Sequence, residues 1–151
     1  MKIKLPAMCL LLSGFMLLAA CSATGPKLSS LDPETLVVNE DVAQFIFYRV
    51  GYFGNAIKPL IYVDETPTGK CETGGVFIVN VNEGDYIIKT TTEKEDSLSF
   101  KIYKKEKIYI NCEMVWGLIV ARPKLVRVTN LTGEKATKNL SFTGKFNLNK
   151  D

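Results

Sequence analysis

Cysteine supplies the most distinctive chemistry in this 151-residue sequence, which contains four cysteines and no histidine. The cysteines stand at positions 9, 21, 71 and 112. Without histidine the chain lacks the commonest general base and the commonest transition-metal ligand, so a Ser–His or Cys–His nucleophile is excluded. A zinc site would have to use thiolates and carboxylates alone, and widely spaced thiols do not favour one. The sequence therefore predicts no metal, no cofactor and no enzymatic activity.

The N-terminal segment MKIKLPAMCLLLSGFMLLAAC has the pattern of an export signal. Lys2 and Lys4 precede an apolar run at 5–20. This run of about 16 residues is shorter than the roughly 20 that a membrane-spanning helix needs, and it ends in small residues. Residues 1–20 are therefore predicted to be a signal peptide that is removed together with Cys9.

The last four residues of that segment, Leu18 to Cys21, resemble the lipobox of bacterial lipoproteins. The resemblance implies a diacylglyceryl group on the thiol of Cys21 and cleavage ahead of it, which makes Cys21 the predicted lipidation site. An ordinary secretory signal with a chance cysteine is the alternative. Ser22, in place of the Asp that favours inner-membrane retention, implies the periplasmic side of the outer membrane in a host that has one. Residues 21–41 are predicted to be a lipidated tether that lifts the domain off the membrane.

The charge of the chain gives little reason to expect an anionic partner. Loss of Lys2 and Lys4 lowers the formal charge from +3 to +1, because all 16 acidic residues remain. The lysine cluster KIYKKEK at 101–107 contains an acid and alternates with apolar residues, which favours a solvated hairpin end over an anionic binding patch. We therefore expect no nucleic-acid partner. The expected partners are the membrane, through the lipid on Cys21, and an envelope protein of unknown identity.

Cys71 and Cys112 form an even pair in a domain that is predicted to be exported, where disulfides persist. A bond between them would close a loop of about 40 residues and stabilise the fold mainly by restricting the unfolded chain. Two free buried thiols, or a redox-active pair, are the competing interpretations. A redox pair is more often spaced as C-x-x-C. The sequence predicts a structural Cys71–Cys112 disulfide.

From Ala43 onward the apolar residues recur with a period of two, which is typical of β-strands. Apolar residues on both faces of the first strand indicate that it is central and covered on both sides. The fold class is therefore predicted to be all-β: one small antiparallel β-sandwich of about seven strands at 42–130. A polar, partly loose C-terminal tail is expected at 131–151, and no long helix. The strands are predicted at 43–50, 59–65, 74–81, 86–93, 98–104, 107–116 and 124–129.

Several short motifs carry a family resemblance over residues 43–129. FIFYR, LIYVDE, GGVFIVNVNEGDYIIKT and KIYKKEKIYI resemble the uncharacterised family of small bacterial lipoproteins with one β-sandwich domain of unknown function. Part of the same run is also similar to the PEGA-type β-modules of bacterial surfaces. The resemblance implies a location and a fold, and it supplies no reaction and no site residues. The disulfide is not part of the recognised pattern.

Three residues near the end of the first strand are candidates for contact with a ligand or a partner. Arg49 ends an otherwise apolar strand, and its alternative role is to reach the rim of the sandwich or to pair with Asp64 or Glu65. Tyr52 and Phe53 in the loop GYFGN could stack on a sugar, or pack over the end of the core. Trp116 is expected to be a core or rim aromatic, before an apolar GLIVA stretch that could form an exposed edge.

These observations lead to one functional prediction and two alternatives. The prediction is a lipid-anchored, non-catalytic envelope protein that docks a partner by strand addition or through loops at 51–58 and 66–73. The first alternative is a lipoprotein that binds a glycan, a lipid or a peptidoglycan fragment. The second is an enzyme that uses Asp64 with Glu65 or Asp85. Neighbouring strand residues point to opposite faces, so Asp64 and Glu65 make a poor catalytic pair.

Overall fold

A computed structural model describes residues 22–32, 36, 42–91, 96–119 and 121–148 of the chain. The predicted signal peptide at 1–20 and the predicted lipidation site Cys21 lie outside the described residues, as does most of the second half of the predicted tether.

Nine strands and one helix make up the regular structure of the described residues. The strands are β1 (Ala43–Tyr48), β2 (Leu60–Val63), β3 (Thr66–Lys70), β4 (Gly75–Val81), β5 (Gly84–Thr91), β6 (Asp96–Ile102), β7 (Lys107–Val115), β8 (Arg122–Val128) and β9 (Ser141–Leu148). A short 3-10 turn at Leu28–Ser30 precedes β1, and helix α1 (Asn130–Thr137) lies between β8 and β9. The seven predicted strands correspond to β1, β2 and β4–β8, so β3 and β9 are additional and the expected count of about seven is too low.

The strands form two sheets that pack on each other, which confirms the predicted all-β sandwich. One sheet has five strands in the order β8-β7-β1-β4-β9, and the other has four in the order β3-β2-β5-β6. The prediction of purely antiparallel pairing is wrong, because β1 is parallel to β7 and β4 is parallel to β9. A parallel pair needs a long crossover. The strands of the four-stranded sheet lie in the sequence between β1 and β7, so they are part of the first crossover. Helix α1 directly precedes β9 and is part of the second crossover.

Alternate side chains of the strands fill the space between the two sheets. Phe45 and Phe47 of β1 are fully buried there. The Phe47 ring stacks on Phe77 at a centroid distance of 4.9 Å, and Phe45 lies 5.7 Å from both Tyr86 and Phe100. Burial of each large apolar side chain contributes roughly 1.5–3 kcal/mol, so this aromatic cluster is a main source of stability.

A second apolar cluster covers the outer face of the five-stranded sheet. Ile46 and Tyr48 of β1 and Ile78 of β4 lie in it, next to Leu28 and to residues from α1 and β9. All six residues of β1 are buried. The prediction that this strand is central and covered on both faces is therefore confirmed.

The segment predicted to be a polar, partly loose tail is part of the fold as far as Leu148. Helix α1 begins after Thr129, whose hydroxyl accepts a hydrogen bond from the backbone N–H of Thr132 at 3.3 Å. Gly133 packs against the ring of Tyr109, where a Cβ atom would overlap the ring. The prediction is wrong because contacts with the sheet, rather than local hydrophobicity, order this polar sequence.

The first described residues lie against the sandwich instead of extending away from it. The backbone N–H of Ala23 donates to the carbonyl of Thr73 at 2.8 Å, and that of Phe142 donates to Pro26 at 2.8 Å. The backbone N–H of Leu28 donates to Leu140 at 2.9 Å. Residues 22–28 therefore do not form the spacer that the predicted tether requires.

Candidate functional site: the apolar end of the sandwich

At one end of the five-stranded sheet, two strands end and three strands begin. Strand β1 ends there and β4 begins there, because Tyr48 pairs with Val76. Strand β7 runs parallel to β1 and also ends there, while β8 and β9 begin there. This end therefore carries the connection 49–59 between β1 and β2 and the connection 116–121 between β7 and β8.

Arg49 is buried at this end, with 1% of its surface exposed. Its guanidinium donates to three backbone carbonyls: Nη1 to Ile57 at 2.7 Å and to Cys71 at 3.4 Å, and Nη2 to Phe53 at 2.7 Å. Burial without a compensating carboxylate lowers the pKa of Arg49. Arg49 thus fixes the loop that follows it by satisfying carbonyls that would otherwise be buried without partners.

The structure places Asp64 and Glu65, the suggested carboxylate partners of Arg49, at the opposite end of the sandwich. Strand β2 separates them from the loop, since its four residues span roughly 13 Å. Asp64 accepts a hydrogen bond from the backbone N–H of Ile87 at 2.8 Å, and Glu65 pairs with Lys89 at 2.8 Å. The alternative in which Arg49 pairs with either acid is wrong.

The predicted disulfide between Cys71 and Cys112 is confirmed, with the two Cα atoms 6.2 Å apart. Cys71 directly follows β3 and Cys112 lies in β7, so the bond joins the two sheets. Both cysteines are buried in the core. Because the carbonyl of Cys71 also accepts from Arg49, the disulfide and the guanidinium hold the same end of the molecule together.

The loop that Arg49 fixes exposes two aromatic side chains. Tyr52 is 75% exposed and Phe53 is 40% exposed. The Phe53 ring lies 4.6 Å from the ring of Trp116, centroid to centroid, which joins this loop to the connection between β7 and β8. Gly54 has a φ of +64° and fits closely beside Ala121. A side chain at position 54 would strain the backbone and push the two loops apart.

Trp116 differs from its expected place in the core or at the rim, because β7 ends one residue before it. The period-two pattern holds for Ile108, Ile110 and Cys112, which are all buried. Trp116 is 81% exposed, and the following Leu118 and Ile119 are 99% and 90% exposed. Residues 116–119 thus form an exposed connection rather than the edge strand that the sequence predicts.

Large apolar side chains are concentrated at this end. Six of the nine large hydrophobic residues that are exposed among the described residues belong to it. We call this group the apolar end, and it consists of Val50, Tyr52, Phe53, Trp116, Leu118 and Ile119. Groups of exposed apolar side chains are typical of surfaces that other molecules contact.

A cavity of about 240 Å³ opens beneath the apolar end. Its lining includes Arg49, Phe53, Asn111, Glu113 and Met114. The Asn111 Oδ1 atom is buried without a hydrogen-bond partner among the described atoms, while Asn111 Nδ2 donates to Glu113 at 3.1 Å. This cavity is smaller than the 300–1,000 Å³ that is typical of small-ligand sites, so only a small molecule would fit in it.

Tyr48 adjoins this site from the outer face of the sheet. Burial, and secondarily the carboxylate of Glu113, raise the pKa of Tyr48 above its usual value of 10.0. The phenol therefore stays neutral at physiological pH, and it has no charge with which to bind a ligand.

The described chain begins at this same end. Ser22 forms an isolated bridge with Thr73, and the backbone N–H of Gly74 donates to the carbonyl of Arg49 at 2.9 Å. Ser22 is therefore connected to Val50 through Thr73, Gly74 and Arg49. The residue predicted to carry the lipid, Cys21, is the covalent neighbour of Ser22.

The predicted site residues divide between the two ends of the molecule. Arg49, Tyr52, Phe53 and the disulfide are brought together at the apolar end, whereas residues 66–70 of the suggested second docking loop form strand β3. Asp64 and Asp85 line one surface depression of about 400 Å³ at the opposite end. Within the apolar end, Leu118 and Ile119 are indicated by the sequence only through the apolar tract GLIVA, which directly follows a predicted strand.

The described residues contain neither a metal-binding cluster nor a helix able to span a membrane. Among them, no group of three or more Cys, Asp or Glu side chains is arranged to hold a metal ion. No helix in the same residues is both long and apolar enough to cross a bilayer.

Comparison with known proteins finds a distant similarity to an uncharacterized protein. No protein-family model matches the chain. A protein of Haemophilus influenzae that is described as an uncharacterized protein is 26% identical over 96 residues. The matched region covers 63% of this chain and 57% of the Haemophilus protein, so the chain spans little more than half the length of that relative.

Proposed function

We propose that this chain is a lipid-anchored protein of the bacterial envelope, and that its sandwich is a non-catalytic interaction module. The observation that carries the proposal is the lipobox-like sequence that ends at Cys21, followed at Ser22 by a domain with an exposed apolar end. Several acyl chains on one cysteine give stable membrane attachment, whereas one chain gives only marginal binding.

The interaction role rests on the chemistry of the apolar end. Its loops are held in place by the Arg49 hydrogen bonds and by the disulfide, so Tyr52, Phe53 and Trp116 are presented on a rigid support. Aromatic side chains on rigid elements contribute large contact areas at low entropic cost. The chain has no histidine, and the two carboxylates discussed above as partners, those of Asp64 and Glu65, already serve as a backbone acceptor and an ion-pair partner.

Lipid attachment is tested by metabolic labelling of the native host with an alkyne-bearing palmitate analogue, followed by membrane fractionation. We expect label on the wild-type chain and its recovery with the membrane. The Cys21→Ala variant is expected to carry no label. Equal labelling of both forms, or label on neither, would contradict the anchoring role.

The interaction role is tested by cross-linking the lipidated protein in intact cells. A matched pair of variants, Tyr52→Ser at the apolar end and Tyr103→Ser at the opposite end, separates the two surfaces. The two side chains are 75% and 58% exposed, so neither change should affect folding much. We expect adducts, whether with a protein or with lipid, to decrease for Tyr52→Ser alone, and unchanged adducts in both variants would count against the role of the apolar end.

A second candidate function is the binding of a small polar ligand in the 240 Å³ cavity. The observation that favours it is the buried, unpartnered Asn111 Oδ1 in the cavity lining, which could accept a hydrogen bond from a ligand. Replacement of Asn111 by Leu should in this case abolish the binding of cell-wall fragments that are small enough to enter the cavity. Unchanged retention of those fragments by the variant would remove this candidate.

A further inference from the structure

We propose that the apolar end is a membrane-insertion surface, so that the domain rests end-on in the same bilayer leaflet that holds the lipid on Cys21. This inference rests on the proposed lipid attachment and extends it from one residue to the orientation of the whole domain. The occupant of the apolar end is the acyl and headgroup region of that bilayer.

The first argument is the place where the described chain begins. Backbone hydrogen bonds fix Ala23 to Thr73, and Thr73 lies beside the backbone of Arg49 at the apolar end. Consecutive Cα atoms are 3.80 Å apart, so Cys21 is held within one residue of that end by covalent geometry. No spacer separates the lipid from the sandwich, and the nearest surface of the domain must therefore lie at the membrane.

The second argument is the chemistry of the side chains at that end. Trp116 and Tyr52 are the residue types that membrane proteins place at the bilayer–water interface. Leu118 and Ile119, which follow Trp116 in the same connection, are almost fully exposed, which in water leaves their apolar area unburied. Acyl chains form no hydrogen bonds, so they can cover these apolar side chains without polar contacts.

The third argument is the distribution of cations around the apolar end. Lys27, which bridges to Ser141, and Lys70, at the end of β3, are both exposed on this side of the sandwich. Their ammonium groups can contact anionic headgroups while the apolar loops enter the layer below. Glu72 at this end is already paired with Lys58 at 3.1 Å, which reduces its repulsion from such headgroups.

The chain carries its own probe for this proposal, because Trp116 is its single tryptophan. The experiment uses the lipidated full chain in vesicles of phosphatidylethanolamine and phosphatidylglycerol, with and without bromine on the acyl chains. We expect the emission of Trp116 to shift to shorter wavelength on reconstitution and to be quenched by the brominated lipids. The proposal would be overturned if the emission of Trp116 stays at long wavelength and acrylamide still quenches it.

A matched pair of variants tests whether the loop itself inserts. In Leu118→Ser/Ile119→Ser the equilibrium between inserted and detached domain should shift by roughly tenfold or more toward the detached form. The shift is measured as loss of bromine quenching and gain of acrylamide quenching. Leu131→Ser changes a leucine that is 79% exposed on α1, away from the apolar end, and should leave both signals unchanged. Equal behaviour of the two variants would contradict insertion of the loop.

The remaining outcomes separate this proposal from the anchoring role. A chain that floats with the vesicles while Trp116 remains exposed is anchored but not inserted, so only the orientation is wrong. Trp116 that is protected from acrylamide but unaffected by brominated lipids is covered by protein, such as a second copy, and this also overturns insertion. A purified chain without lipid on Cys21 by mass spectrometry overturns the anchoring role, and the orientation with it.

Discussion

The two ends of the sandwich differ in the chemistry of their exposed side chains. The apolar end carries six exposed large hydrophobic residues, whereas the opposite end consists of the turns Asp64–Glu65, Asn82–Glu83 and Tyr103–Glu106. At this second end, which we call the charged end, Glu65 pairs with Lys89 and Arg127 pairs with Glu106. One end exposes charged side chains to solvent, whereas the other exposes large apolar side chains.

The interiors of the two ends differ as well. The apolar end is fixed by a disulfide and by a buried arginine that is bonded to three carbonyls. The charged end is held by tight turns and by exposed ion pairs, which contribute little individually. The disulfide and the Arg49 hydrogen bonds hold the loops of the apolar end, and therefore their apolar side chains, in fixed positions. The predictions below test this difference, from the largest expected effect to the smallest.

Replacement of both cysteines, Cys71→Ala/Cys112→Ala, should cost the most. The disulfide spans 41 residues of sequence, and the chain-entropy model gives a loss of about 4 kcal/mol in the free energy of unfolding. Urea denaturation of the variant, and of the wild type with and without reductant, measures this loss. Equal stability of oxidised and reduced wild-type protein would contradict the role of the disulfide as an inter-sheet support.

Arg49→Met should lower the free energy of unfolding by about 3 kcal/mol, because it leaves carbonyls of the loop without donors. The matched control is Arg127→Met at the charged end. Arg127 is 55% exposed in its side chain, lies over the Phe100 ring and pairs with Glu106 at 3.5 Å. Its loss should cost no more than about 1 kcal/mol. Similar costs in the two variants would remove the difference in internal support between the ends.

Alkaline pH should destabilise the fold through Tyr109 of β7, which lies under α1. Burial, with a smaller contribution from the carboxylate of Glu134, raises the pKa of Tyr109 from 10.0 to about 12. The folded state therefore holds the phenol proton more tightly than the unfolded state does. This stabilisation is complete below pH 10 and is lost as the pH rises to 12, by an amount on the order of 2 kcal/mol.

The measurement for Tyr109 is a series of urea denaturations between pH 9 and pH 12. In Tyr109→Phe the decline of stability over this interval should be less steep than in the wild type. An identical decline in the two proteins would show that Tyr109 does not contribute to it.

The smallest effect is expected at the charged end, for Glu65→Gln. The ion pair of Glu65 with Lys89 is exposed, since the side chain of Glu65 is 86% exposed. Its loss should change the free energy of unfolding by no more than about 0.5 kcal/mol, and high salt should abolish the difference. A larger cost that persists in salt would show that the charged end is supported more strongly than we infer.

The central part of the sandwich could be predicted from the sequence because its strands are apolar with a period of two. In β6, for example, Phe100 and Ile102 are buried while Ser99 and Lys101 are exposed, as the pattern requires. The disulfide could be predicted from an even pair of cysteines in a domain that the sequence predicts to be exported, and β7 carries Cys112 on its buried face.

The elements that the sequence did not reveal are those whose order comes from tertiary contacts. Strand β3 has the sequence TPTGK, in which proline and glycine suggest a loop, and the edge position that it occupies tolerates both. Helix α1 contains Gly133 and two threonines, which favour helix weakly, and it forms where Gly133 meets the Tyr109 ring. The parallel pairing of β9 with β4 could not be predicted either, because parallel strands are not joined by a short turn that the sequence would indicate.

The apolar end was only partly foreseeable for a related reason. Arg49, Tyr52 and Phe53 drew attention through their types, but their proximity to Trp116 depends on the parallel pairing of β1 with β7. That pairing joins segments that are more than sixty residues apart in the sequence, and no local pattern in either segment indicates it.

The place of β9 has a consequence for the order of events in folding. This last strand lies beside β4, and Asn80 donates a side-chain hydrogen bond to Asn147, 67 residues further along the chain. The five-stranded sheet therefore cannot close until the chain is available at least as far as Leu148. Its assembly depends on contacts between strands that are far apart in the sequence, which is typical of slowly folding β-proteins.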